Sequence, residues 1–130
     1  MQFAILITAA PSHQACQSAY RFCHAALANG HSILRLFFYY DSVHIASKLH
    51  CQSGNDQVNS SPPWEALIKD HSLDAVVCIA AGLKRGVIDP KEAERFDKPT
   101  SNLNDCFELS GLGQLADMII TADRLMTFGG

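Results

Sequence analysis

Short apolar runs alternate with stretches of helical periodicity along the whole chain, and this alternation is what most restricts its fold. Phe3 to Thr8, Ser32 to Tyr39, Leu73 to Cys78, Phe107 to Leu109 and Arg124 to Phe128 read as strands, with helical patterns between them. Two parallel strands need a crossover between them, and a helix is the usual one. The pattern therefore predicts an α/β domain with a mainly parallel, five-stranded sheet. With 130 residues, 48% of them hydrophobic, residues 1–130 are expected to make one domain with a real core.

Local signals place the elements between the strands. Pro11 and Ser12 break the first strand, and a helix is expected from Gln14 to Asn29, closed by Gly30 as a left-handed cap. Asp41 or Ser42 suits the cap of a short helix carrying Val43, Ala46 and Leu49. Residues 51–63 are dense in turn formers and read as a mobile loop. Ser61 and Pro62 fit an N-cap and first helical position ahead of Trp64, Leu67 and Ile68. Further helices are expected after Cys78 as far as Gly86, around Pro90 to Glu94, and from Gly113 to Ala122. The four rings of Phe37, Phe38, Tyr39 and Tyr40 cannot all face one side of a strand, so two are expected in the core and two under a partner subunit.

Charge and cysteine usage exclude several function classes. A formal charge of −3 without a basic run argues against direct nucleic-acid binding, which draws on clustered Lys and Arg. Met1 to Thr8 lacks the charge and length of a signal peptide, and no later run approaches the ~18 apolar residues of a membrane helix, so a cytoplasmic protein is expected. Cysteines at 16, 23, 51, 78 and 106 form no C-x-x-C pair, which argues against a disulfide framework or a structural zinc site. Cys16 and Cys23 share a helical stripe with Ala19 and Tyr20 and read as packing residues, not as metal ligands with His13 and His24. Gly111-Leu112-Gly113-Gln114-Leu115-Ala116 matches a dinucleotide fingerprint, but the first turn, Ala9-Ala10-Pro11-Ser12, lacks the glycines that such a fold places there. Gly111 and Gly113 are expected instead to permit a tight turn and a close backbone approach.

Cys78 is the residue with the clearest chemical potential. It falls where a buried strand turns into a helix, and open α/β sheets collect their chemistry at the carboxyl ends of strands. A thiol at a helix N-terminus ionises more easily than a free one. Its environment in the sequence fits either a core cysteine or a reactive thiol. Lys84 and Arg85 at the end of the following helix fit either favourable helix-end placement or a positive rim that supports a thiolate and attracts an acidic partner. His44 and His50 follow the second strand and can approach the same edge. A thiol redox sensor would call for a resolving cysteine, and none is evident.

Five segments, in order and at natural spacing, resemble one family: Phe3-Ala4-Ile5; Arg35-Leu36-Phe37-Phe38-Tyr39; Val77-Cys78-Ile79-Ala80-Ala81 with Arg85-Gly86-Val87-Ile88-Asp89; Leu109-Ser110-Gly111-Leu112-Gly113-Gln114-Leu115; and Ala122-Asp123-Arg124-Leu125-Met126-Thr127-Phe128. Over nearly its full length the chain is similar to the DsrE/TusD family of sulfur-relay proteins, departing from it at Ser42, where relatives usually carry Gly. The resemblance implies a three-layer α/β/α fold of the DsrEFH type and a persulfide carried on Cys78. It implies a heterohexamer with TusB-like and TusC-like paralogues, a TusA-like sulfur donor and a TusE-like acceptor, serving 2-thiolation of the wobble uridine of tRNA. A sister branch uses the same architecture in dissimilatory sulfur oxidation, and a non-catalytic scaffold subunit is the remaining alternative. Sulfur passed between cysteines needs no metal, flavin or nucleotide cofactor.

Overall fold

The computed structural model describes residues 1–51 and 61–130; residues 52–60 of the expected loop lie outside the described residues. Five strands form one sheet in the order β4-β3-β2-β1-β5, all neighbours parallel: β1 (Gln2–Ile7), β2 (Ser32–Phe38), β3 (Ala75–Cys78), β4 (Glu108–Ser110) and β5 (Arg124–Phe128). The helices are α1 (Gln14–Ala28), α2 (Trp64–Asp70), α3 (Ile79–Arg85), α4 (Pro90–Arg95) and α5 (Leu112–Thr121), with a 3-10 helix over Tyr40–Ala46.

Both faces of the sheet are covered, which makes three layers. Phe22 on α1 packs against Phe3 and Phe128, with ring centroids 5.1 and 5.8 Å apart. Trp64 on α2 meets Tyr20 of α1 and Phe38 of β2, so α1 and α2 share a face. Arg35 lies three residues before Phe38 and so faces the other way. There its guanidinium donates to the Gln114 carbonyl at 2.9 Å and pairs with Asp117 at 3.2 Å, fastening α5 over the second face. Right-handed crossovers account for the division: the chain steps along the sheet from β1 to β4, then α5 carries it back across to β5 beside β1. The core is centred on Ile5, Ile7, Leu36, Phe37, Phe38 and Val77, none of which is exposed.

The two-faced covering changes the expectation for the aromatic run. Phe37 and Phe38 are both fully buried within this chain, on opposite faces, and Tyr39 is half-buried; Tyr40 alone is exposed, at 54%. Large apolar side chains that do reach the surface include Leu112, Ile119 and Ile120 on α5 and Leu125 on β5. The start of α2 also differs: its N-cap is Pro63, not Ser61. Pro62 precedes a second proline, and a residue before proline is driven from helical into extended backbone, so the helix begins only at Trp64. Leu49 falls beyond the 3-10 helix and is 61% exposed. Gly30 does hold the left-handed conformation expected after α1, with φ +83°.

Candidate functional site

All four residues of β3, Ala-Val-Val-Cys, are buried, as a central parallel strand covered on both faces requires. Cys78 closes the strand and serves as N-cap of α3, with φ −60° and ψ 117°. Gly86 ends α3 in the left-handed conformation, at φ +74°. Within α3, a Cβ on Gly82 would stand 2.7 Å from the Val87 carbonyl oxygen, so this glycine is required by close backbone approach.

Register decides what surrounds the thiol. Cys78 is paired with Ser110 of β4 on one side. On the other, Leu36, Phe37 and Phe38 pair with Ala75, Val76 and Val77, so the next step of the ladder sets Tyr39 beside Cys78. Tyr39 is still extended, and its N–H donates to the Ile7 carbonyl at 2.9 Å, which continues the ladder with β1 and keeps this residue in the plane of the sheet. Parallel partners point to the same face, so Ser110, Cys78 and Tyr39 form a row at the carboxyl edge of the sheet, on the side covered by α5.

That edge also carries the start of α5. Its N-cap is Gly111, which makes no side-chain cap, and its first turn has no acidic residue. The unpaired N–H groups and partial positive charge of a helix N-terminus therefore lie next to the strand residue that flanks Cys78. Gly111 has φ −86°, and a Cβ on Gly111 or Gly113 would meet nothing within 4 Å. The tight turn expected here is present, since Gly111 alone joins β4 to α5, but the close backbone approach is not; the two glycines leave open space beside Ser110.

Tyr39 and Tyr40 stack, with ring centroids 4.3 Å apart and planes 11° from parallel. Tyr40 reaches this position through a φ of +49°, a conformation that costs a bulky residue on the order of 1–3 kcal/mol. Desolvation raises the Tyr39 phenol above its ordinary pKa, and the neighbouring Tyr40 and Cys78 push in the same direction. The Tyr39 hydroxyl is thus a proton-bearing donor at neutral pH.

Lys84 and Arg85 lie in the last turn of α3, and the Arg85 guanidinium folds back to donate to the Ala81 carbonyl at 3.3 Å. Six and seven residues along the chain correspond to ~9–10 Å of helix, which puts them at the opposite end of α3. Lys84 is exposed, and Arg85 pairs with Asp41 of the 3-10 helix at 2.8 Å. His50 contacts the His44 carbonyl through Nε2. Beside the far end of α3, Leu49, Leu83, Ile88, Phe96 and Lys98 line a cavity of about 450 Å³.

The other cysteines occupy different settings. Cys16 and Cys23 have no exposure, and burial pushes their thiols up to about 11 and about 12. Cys16 Sγ donates to the Ala9 and Ala10 carbonyls at 3.3 and 3.1 Å. Cys106 lies in the turn before β4, where its N–H donates to Asn104 Oδ1 at 3.1 Å and partial burial raises its thiol. Cys51 is exposed. Among the described residues no three His, Cys, Asp or Glu side chains gather as metal ligands, and no helix is long and apolar enough to cross a membrane.

Sequence reading singled out Cys78 and overlooked Tyr39 and Ser110 as its neighbours. The missing signal is the strand offset, since nothing in the sequence says which residue of β2 or β4 stands level with position 78.

Known proteins align with the chain from end to end. A sulfurtransferase TusD homolog of Pseudomonas aeruginosa is 51% identical over 130 residues, covering 100% of this chain and 98% of the relative. DsrE of Allochromatium vinosum is 45% identical, with 99% of each chain covered. Sulfurtransferase TusD of Salmonella arizonae is 40% identical over 98% of this chain and 100% of its own. Among solved structures, the ychN protein of E. coli superimposes with a TM-score of 0.64 at 19% identity, over 98% of this chain and 100% of that one, and so shares the fold. With the DsrE/DsrF-like family model also matching residues 1–128, this chain belongs to the DsrE/DsrF-like family.

Proposed function

We propose that this chain carries sulfane sulfur as a persulfide on Cys78 in a relay between proteins. Its class is sulfurtransferase, the activity named for relatives 51% and 40% identical over the full length. The observation that carries the assignment to Cys78 is its position: a cysteine ending a central strand at the carboxyl edge, beside the uncapped start of α5. A purely scaffolding subunit has no need of a thiol there.

The chemistry balances without an external oxidant. The Cys78 thiolate attacks the outer sulfur of a donor persulfide; the new Sγ–S bond forms as the donor's S–S bond breaks, and the electron pair leaves on the donor's inner sulfur as a thiolate. The outer sulfur keeps its oxidation state and moves with whatever proton or charge it carries. In the second step an acceptor thiolate attacks that same outer sulfur, and Cys78 departs as the thiolate. With Cys78 1% exposed, both steps require its surroundings to part.

The donor in this reading is TusA-like and the acceptor TusE-like, within a heterohexamer of this chain with TusB-like and TusC-like paralogues. The end product is 2-thiolated wobble uridine in tRNA, the tRNA being reached through the acceptor and not by this chain. The exposed Leu112, Ile119, Ile120 and Leu125 support assembly, since such apolar surface is covered when subunits join. Lys84 and Arg85 act in this scheme as docking cations for the donor, not as supports for the thiolate. A second reading, a DsrE-type subunit of dissimilatory sulfur oxidation, stays beside it, since DsrE of Allochromatium vinosum is 45% identical to this chain.

Single Cys→Ser variants incubated with a persulfidated donor carrying labelled sulfur decide the central claim. Cys78→Ser is expected to accept no label while the other four retain it. Loading of Cys78→Ser at the normal rate would overturn the assignment.

A further inference from the structure

We infer that Tyr39 contacts the transferred sulfur, its phenol hydroxyl donating a hydrogen bond to the outer sulfur of a Cys78 persulfide. The inference rests on the persulfide reading above and adds a residue that neither the family match nor the position of Cys78 specifies.

One extended residue beyond the last paired step, Phe38 with Val77, Tyr39 falls level with Cys78 on the adjacent strand, ~4.8 Å away at the backbone and on the same face, close enough for the thiol to act on the phenol's charge. A phenol hydroxyl reaches considerably further from its strand than a thiol does. The S–S bond of a persulfide extends the cysteine by ~2.05 Å, bringing its outer sulfur toward the height of the hydroxyl. Tyrosine at this position is thus matched to the loaded state more closely than to the empty one. The stack against Tyr40 and an edge contact with Phe37, at 6.1 Å between centroids, hold the ring over the edge of the sheet. Tyr40 keeps its half of the stack only by adopting a left-handed backbone, which fits a constrained pair.

The chemical consequence concerns both the lifetime and the reactivity of the persulfide. A hydrogen bond to the outer sulfur withdraws negative charge from it. The anion is stabilised, and an incoming thiolate meets less repulsion at the atom it must attack. Ser110, on the other side of Cys78, is too short to reach as far out from the sheet.

Titratable and charged groups on the elements packed around this row are Tyr40, Asp41 and His44 on the 3-10 helix, Lys84 and Arg85 on α3, Glu108 on β4 and Asp117 on α5. Asp41 is paired with Arg85, and Asp117 with Arg35. A Tyr39→Phe change leaves all of them in place.

The test loads unaltered protein, Tyr39→Phe and Tyr40→Phe with inorganic polysulfide. Alkylation of the Cys78 persulfide is followed by mass spectrometry as a function of pH, alongside sulfur transfer to a small thiol. In Tyr39→Phe the alkylation midpoint is expected to rise by about one pH unit and transfer to slow by about tenfold. Tyr40→Phe keeps the stacked ring and removes only the hydroxyl that bonds the Tyr39 phenol, so it is expected to shift the midpoint less than Tyr39→Phe does. Equal shifts in the two variants, or a Tyr39→Phe profile that coincides with the unaltered one, would overturn the role of Tyr39 while leaving the relay intact. Absence of sulfur on Cys78 in the unaltered protein would overturn the relay reading itself.

Discussion

Arg85 reaches from the end of α3 to Asp41 on the 3-10 helix, with Nε 2.8 Å from Oδ1, and so joins the two elements that follow the central strands. With Arg85 25% and Asp41 62% exposed, solvent screens the pair, and its contribution to stability is under ~1 kcal/mol. The pairing predicts how the cations divide their effects. Replacing Lys84 and Arg85 together by Gln should weaken sulfur loading by a protein donor and flatten its dependence on salt. Alkylation of Cys78 by a small reagent should change by less than about twofold, since the Arg85 charge is already paired with Asp41 and Lys84 is exposed to solvent. A large loss of alkylation rate at constant donor affinity would show that the cations act on the thiol.

Ser42 is fully buried, with Oγ 2.6 Å from the Ile7 carbonyl and 2.7 Å from that of Tyr39. One hydroxyl proton serves both acceptors in turn. Each carbonyl also has a backbone donor, Tyr39 N–H at Ile7 and Ser42 N–H at Tyr39, so neither is stranded when the hydroxyl is removed. Ser42→Ala is therefore expected to cost about 1 kcal/mol in urea denaturation. A loss above about 3 kcal/mol would mean that the hydroxyl organises more of this edge than these two bonds.

Gly82 separates helix propensity from close packing. On propensity, Ala in place of Gly inside a helix stabilises by ~1 kcal/mol. Here the added methyl would press on the Val87 carbonyl oxygen at 2.7 Å, an atom fixed in backbone that also accepts no easy displacement because Val87 N–H donates to the Gly82 carbonyl. Overpacking should win, with Gly82→Ala destabilising by about 1–3 kcal/mol. A gain in melting temperature would refute this.

Cys16 and Cys23 predict an alkaline weakness. Burial raises both thiols above their usual 9.0, to about 11 and about 12, so the native state holds these protons more tightly than the unfolded chain does. Their stabilising effect is complete below pH 9 and is lost as pH rises toward the folded values, with a slope of up to ~1.4 kcal/mol per pH unit for each thiol. Cys→Ala variants at both sites should show a flatter stability profile between pH 9 and 11. Serine separates the two positions at neutral pH: at Cys16 a hydroxyl can donate to the Ala9 and Ala10 carbonyls that the thiol now uses, whereas Cys23→Ser buries a hydroxyl in the core at a cost of about 1–3 kcal/mol.

Much of the architecture was legible in the residues because it depends on local pattern. Apolar runs separated by helical periodicity require crossovers, and crossovers make a parallel sheet; the buried strand ending at Cys78 and the left-handed cap at Gly30 follow from neighbours a few positions away. Where a local rule was incompletely applied, the boundary moved, as at Pro62 and Pro63, where the second proline delays α2. Tertiary structure alone decided the surroundings of Cys78. The level of Tyr39 and Ser110 against the thiol is set by packing of whole strands, and covering both sheet faces is what buried Phe37 and Phe38 together. Only the tertiary structure decided where the Arg85 charge lies: a helix turns six or seven residues into the length of α3, but the guanidinium folds back to the Ala81 carbonyl and across to Asp41, contacts that spacing along the chain does not specify.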